Sequence, residues 1–196
     1  MTTPRGLIAI VAGLILSATS IAGPAQDQAG TAQQAAAEAA MTLGPQQAAL
    51  GELLGTWNVE IVLGDGTKPF QHAKGKAEYS WVVQGRWLGC HVTGQLLGMP
   101  YEQFTIFGYD SYARNLVEVS VESVDNSMLM SRGTVSKPDQ PVTALFGELD
   151  EYASGVLHRP YKVLLKRQSA RRHVTMIVGF DDDGNEVKKL EFVFSR

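Results

Sequence analysis

Four histidines, a single cysteine and a Gly-Tyr-Asp triplet are the groups in this sequence with the most obvious capacity for chemistry. His72, His91, His158 and His173 include no pair spaced to put two imidazoles on one face of a helix or strand. No metal or haem ligand set is therefore expected, and no cofactor. His91 has the strand parity of Trp87, which would aim it into a barrel interior as a candidate ligand contact. Its plainer reading is a hydrogen-bonded core or rim histidine. Cys90 lies in a strand-like run with Leu88 and Val92 and reads as a small buried hydrophobe, with no neighbouring sequence to lower its pKa. Gly108-Tyr109-Asp110 brings a phenol and a carboxylate together, a pair able to orient a ligand or move a proton at a barrel mouth. The favoured reading is structural: Asp110 caps the turn from Ser111 to Arg114 while Tyr109 packs.

Other reactive patterns fail on spacing. Asp181-Asp182-Asp183-Gly184-Asn185-Glu186 lacks the length of a calcium loop and has the Asp-Gly-Asn centre of a hairpin turn. There is no Gly-x-Ser-x-Gly, and the glycines scatter through turns and strands rather than opening a helix around a phosphate. A formal charge of −3 offers no attraction to nucleic acid, and none is expected as a partner. Lys166-Arg167 and Arg171-Arg172 flank a turn and read as solvated surface charge.

These residues must be positioned by strands. From Thr56 onward Trp57, Val59, Ile61 and Leu63 recur with period two until Gly64-Asp65-Gly66 breaks the run. Similar runs follow at 75–84, 86–97, 101–110, 114–123, 127–136, 142–150, 158–168, 172–180 and 186–195. Gln84-Gly85, Gly98-Met99-Pro100, Lys137-Pro138-Asp139 and Asp183-Gly184-Asn185 supply turn chemistry between them. No helical pattern intervenes, so the connections predict antiparallel pairing. Closure into one up-and-down β-barrel of about ten strands removes the exposed edges; a two-sheet sandwich is the alternative. The faces Tyr79/Trp81/Val83, Tyr161/Val163/Leu165 and Val174/Met176/Val178/Phe180 predict an apolar interior. Such a barrel is wide enough to keep a cavity, with Trp81, His91, Tyr109, Tyr161 and Met176 as candidate ligand contacts.

Before the strands, Gly44-Pro45 with Leu50, Leu53 and Leu54 predicts a short helix ending near Gly55. Residues 25–41 are Ala- and Gln-rich and read as a disordered or weakly helical tether, part of a linker over 23–44 ahead of a barrel domain at 45–196. Arg5, the apolar run Leu7 to Leu16 and small residues up to Ala22 or Ala25 read as a signal peptide over 1–22. That run is shorter than the roughly 20 residues of a spanning helix, so the expected product is periplasmic or secreted rather than an integral membrane protein. With 196 residues and 44% apolar content, one core must hold the domain without disulfides.

Two resemblances add to this reading. Gly55-Thr56-Trp57 resembles the opening of calycin (lipocalin-like) barrels. The resemblance implies that Trp57 closes one barrel end and that Arg196, a basic residue ending the last strand, covers it. Gly85-Arg86-Trp87-Leu88, Gly94 to Glu102, Gly108-Tyr109-Asp110 and the closing Lys188 to Arg196 resemble the bacterial family called domain of unknown function 1579, over roughly residues 46 to 196. Where that family carries Trp-x-Asp, this chain has Ser120-Val121-Glu122. The family implies no activity. Barrel mouths are common ligand sites, so the expectation is non-enzymatic binding of a small apolar or amphipathic ligand. The rivals are an envelope interaction protein with a packed barrel, and an enzyme using Tyr109, Asp110 and His91. N-terminal sequencing of the exported protein is expected to begin at Gly23 or Gln26. An intact Met1 or Thr2 on membrane-bound protein would contradict signal cleavage.

Overall fold

The computed structural model describes residues 24–64, 69–124, 126–135, 142–151 and 155–196. The expected signal and the turn residues Asp65, Gly66 and Lys137 to Asp139 lie outside them. Chain contacts separate residues up to Ala39 from a second unit, Ala40–Arg196. The Ala/Gln-rich segment forms helix α1 (Pro24–Met41), whose apolar residues are nearly all alanine. No helix among the described residues is long and apolar enough to cross a membrane.

In the second unit, helix α2 (Pro45–Gly51) starts where Gly44 is extended and Pro45 presets a helical φ. The Gln47 side chain accepts the Gly44 N–H at 2.9 Å, satisfying one open donor. The helix ends in tight turns, with Leu53 N–H donating to Leu50 O and Leu54 N–H to Gly51 O. Gly55, at φ +102°, then swings the chain into the first strand through a conformation that disfavours residues with a Cβ.

Ten strands follow: β1 (Gly55–Gly64), β2 (Pro69–Val83), β3 (Trp87–Leu96), β4 (Met99–Asp110), β5 (Asn115–Glu122), β6 (Met128–Gly133), β7 (Val142–Glu151), β8 (Val156–Ser169), β9 (Arg172–Phe180) and β10 (Glu186–Ser195). Each pairs antiparallel with the next, and β10 returns to β1 from Asn58↔Ser195 to Leu63↔Leu190, closing the barrel. The sandwich alternative falls with that pairing. Period two sends Trp57, Val59 and Ile61 inward from β1, and Phe192 and Phe194 from β10.

Three orientations differ from the sequence reading, the first at Val83, which lies past a bulge in β2 and is exposed rather than inward. On β9, Ile177 packs against the core and pairs with Val163, so His173, Thr175 and Ile177 share the inner face. Met176 therefore faces outward, together with Val174 and Val178. The last two are nonetheless buried, opposite Lys166 and Lys162. Both faces of β9 are apolar, so periodicity does not identify the inner one. On β3, Leu88, Cys90 and Val92 form the inner face and His91 points outside. Trp87 misled there: its indole lies on Gly108 of β4, where an added Cβ would fall 2.0 Å from the ring.

Closure carries its own lock. The Arg196 guanidinium carbon lies 3.8 Å from the Trp57 ring centroid. Its Nη2 donates to Leu53 O at 2.7 Å and also to Leu54 O. Trp57 Nε1 donates to the same Leu53 carbonyl at 2.7 Å. Arg196→Ala is expected to cost about 1–2 kcal/mol in urea denaturation, with Arg196→Lys recovering only part because an ammonium lacks the planar fork. Equal stability of the alanine variant and the wild type would contradict the lock.

Candidate functional site

The inner ends of several strands and the underside of α2 border a half-open cavity of about 590 Å³. Leu50 of α2 and Leu53 in the turn after it form its roof, and Phe107, Leu116 and Leu165 stand in its walls. Tyr79 and His173 lie at its floor, while Lys166, Arg167, Gln168 and Ser169 of the β8–β9 hairpin form one rim. An open groove of about 890 Å³ between β6, β8 and the Asp181 turn is larger, but exposed Phe146 and Leu157 border it.

The floor is an aromatic cluster around one imidazole. His173 stacks on Phe194 at 4.4 Å and meets the edge of Trp57 at 4.6 Å. Its Nε2 is 2.9 Å from the Tyr79 hydroxyl, and its buried Nδ1 has no hydrogen-bond partner. Burial lowers the His173 pKa to about 4, with the Arg196 and Arg167 charges adding to the effect, so the ring is neutral at pH 7. Burial also pushes the Tyr79 phenol well above its ordinary range and the Cys90 thiol up to about 12. Cys90 is thus a buried thiol, not a nucleophile.

A polar layer shares the lumen without lining this cavity. Glu118, 7% exposed, accepts the Ser131 hydroxyl at 2.9 Å, and burial raises its pKa to about 7. Tyr161 is raised to about 12, by burial first and then by the Glu118 charge. Gly147 permits this packing, since a Cβ there would meet the Tyr161 hydroxyl at 2.6 Å. Tyr101 donates to Glu122 at 2.8 Å, and Gln103, Thr105 and Ser120 are buried alongside.

None of Trp81, His91, Tyr109, Tyr161 and Met176 lines the cavity beneath α2. Trp81 supports the helix from below, its Cζ2 at 3.3 Å from where a Gly51 Cβ would stand. Outward-facing His91 pairs with Glu102 at 2.6 Å. Tyr109 has inward parity but sits half-buried at the end of β4, and Tyr161 belongs to the polar layer. Met176 is outside. Asp110 caps its turn, accepting the N–H groups of Tyr112 and Ala113 at 2.9 Å each. Tyr109, Asp110 and His91 therefore do not converge on one site. Among the described residues, no three His, Cys, Asp or Glu side chains are grouped to hold a metal ion.

The model of a family described as a protein of unknown function, DUF1579, matches residues 42–196, the whole barrel and the helix before it. This chain belongs to the DUF1579 family. No curated protein matches its sequence. Among solved structures, Rv2717c from M. tuberculosis is similar at a TM-score of 0.56 and 14% identity, covering 79% of this chain and 99% of that one, a likeness of fold. A redesigned β-barrel aligns over 76% of this chain and 94% of its own at 17% identity, with a TM-score of 0.36. This DUF1579 barrel buries Ser120 in the lumen and uses Glu122 to hold Tyr101.

His173, Tyr79 and Glu118 are the residues that sequence reasoning missed as a group. One signal was available for His173: a lone imidazole between the hairpin cations and an apolar strand. Glu118 alternates with hydrophobic Val117 and Val119, which makes it resemble an ordinary outward carboxylate.

The two buried titrations act in opposite directions. Glu118, raised from 4.5 to about 7, stabilises the fold fully below its unfolded pKa and loses that contribution as pH rises to about 7. His173, lowered from 6.5 to about 4, contributes fully above its unfolded pKa and loses stability as pH falls through about 4. Glu118→Gln should therefore gain on the wild type by up to about 3 kcal/mol between pH 4 and pH 8. Denaturant titrations across that range check this; a pH-independent difference would contradict the buried carboxylate.

Proposed function

We propose that this barrel is a non-enzymatic binding protein for a small, largely apolar or amphipathic molecule held beneath α2. The observation that carries the reading is the cavity itself. Its volume of about 590 Å³ falls within the range of small-molecule sites, and its roof and walls are branched and aromatic side chains. Polar groups gather at its floor and along one rim, the distribution that orients a ligand without opposing its burial. The signal-like first segment supports action in the periplasm or outside the cell.

The rival readings have less support. A packed interaction barrel leaves the space beneath α2 unaccounted for. For an enzyme, the buried carboxylate Glu118 is the natural base, but it is hydrogen-bonded to Ser131 in a layer that does not line the cavity.

An environment-sensitive apolar dye is expected to bind saturably. Leu116→Trp, which fills the wall, should weaken it at least about tenfold, an energetic loss comparable with one buried side chain. Ala49→Trp at the roof should do the same without altering the core, separating occlusion from misfolding. No saturable binding across a varied panel of apolar dyes would refute the proposal.

A further inference from the structure

We infer that the molecule held beneath α2 is an amphipathic organic anion, its apolar body among Leu50, Leu53, Phe107 and Leu116 and its charged group at the β8–β9 rim. This rests on the binding reading above and adds the charge of the occupant.

The rim is chemically one-sided. Lys166-Arg167-Gln168-Ser169-Ala170-Arg171-Arg172 contains four cations and no acid. As sequence, these cations read as solvated surface charge; the fold instead gives Arg167 the inner parity of Leu165, at the cavity lining with Gln168 and Ser169, while Lys166 shares the outer face with Val174. The opposing acid is Glu52 at the end of α2, which contacts Arg167 Nη1. That pair is half-exposed, so its partners exchange readily with a competing oxyanion.

Beside the rim two further positive contacts reach His173, while the Glu118 charge is felt on the Tyr79 side. Arg196 lies over Trp57, which itself contacts His173. The imidazole feels both Arg196 and Arg167 as positive neighbours. A carboxylate, sulfonate or similar head would accept from the Arg167 fork. A neutral head gains less, and a cationic head is repelled. The apolar walls offer nothing to a second charge at the other end of the ligand, so the molecule is charged at one end only.

The test is displacement of a neutral apolar dye by decanoate, decanol and decyltrimethylammonium, which share one chain and differ in head charge. Decanoate is expected to displace the dye at about tenfold lower concentration than decanol, with the cation weakest, an advantage that shrinks in high salt. In Arg167→Gln decanoate and decanol should converge to within about threefold, while Lys166→Gln, on the outer face, keeps the preference for decanoate. If Arg167→Gln loses dye binding, the salt series on the wild type decides: a decanoate advantage that shrinks in high salt supports the anion assignment, and one indifferent to salt overturns it. Equal displacement by all three, or preference for the alcohol or the cation, overturns the anion assignment and leaves the cavity reading standing. Failure of the dye to bind the wild type overturns both.

Discussion

The contact of Arg196 with Trp57 and with the carbonyls after α2 is the constraint on which the rest of the barrel depends. An up-and-down sheet gains from closure only if its first and last strands meet, and here they meet in register over six residue pairs. Arg196 locks that seam from above. It also ties down the open carbonyls of a helix too short to hold its own position. Because Leu53 O accepts from both Trp57 and Arg196, the roof of the cavity and the end of the barrel are fixed by one oxygen. The space beneath α2 exists because the helix is suspended from this point rather than collapsed into the lumen.

Inside, the barrel is divided by chemistry. Between β1, β2, β3 and β10 the lumen is packed with Val59, Ile61, Leu88, Val92 and Phe192. Across β4, β5 and β6 it carries Gln103, Thr105, Glu118, Ser120 and Ser131. Buried polar groups persist only when partnered, and the Ser131–Glu118 and Tyr101–Glu122 bonds supply two such pairings. This layer opposes simple hydrophobic filling of the barrel.

Much of the fold was legible because strand periodicity and turn chemistry are local signals. Trp57, Val59 and Ile61 alternate in sequence and in space, and the Gly-x-Trp start with a terminal arginine pointed to the closure now seen. The orientation of individual strands was less legible. On β9 the outward face is as apolar as the inward one, so Met176 read as a lumen residue. On β3 the large aromatic Trp87 lies outside on a glycine, while the inner face is made of smaller side chains, and that reversed His91. The site was hidden for a different reason. It assembles Leu50 from α2, Tyr79 from β2, Leu116 from β5 and His173 from β9, residues adjacent only after closure. Alternation within a single strand cannot report such an assembly.

Under the proposed function the space under α2, and no other surface, takes up the amphipathic ligand. Methyl NMR of the leucine side chains during titration with decanoate tests it most directly. Saturable shifts are predicted at Leu50, Leu53, Leu116 and Leu165, with Leu145 in the packed core and Leu157 on the outer groove unchanged. Shifts confined to Leu157, or none at any of the four cavity leucines, would contradict the account.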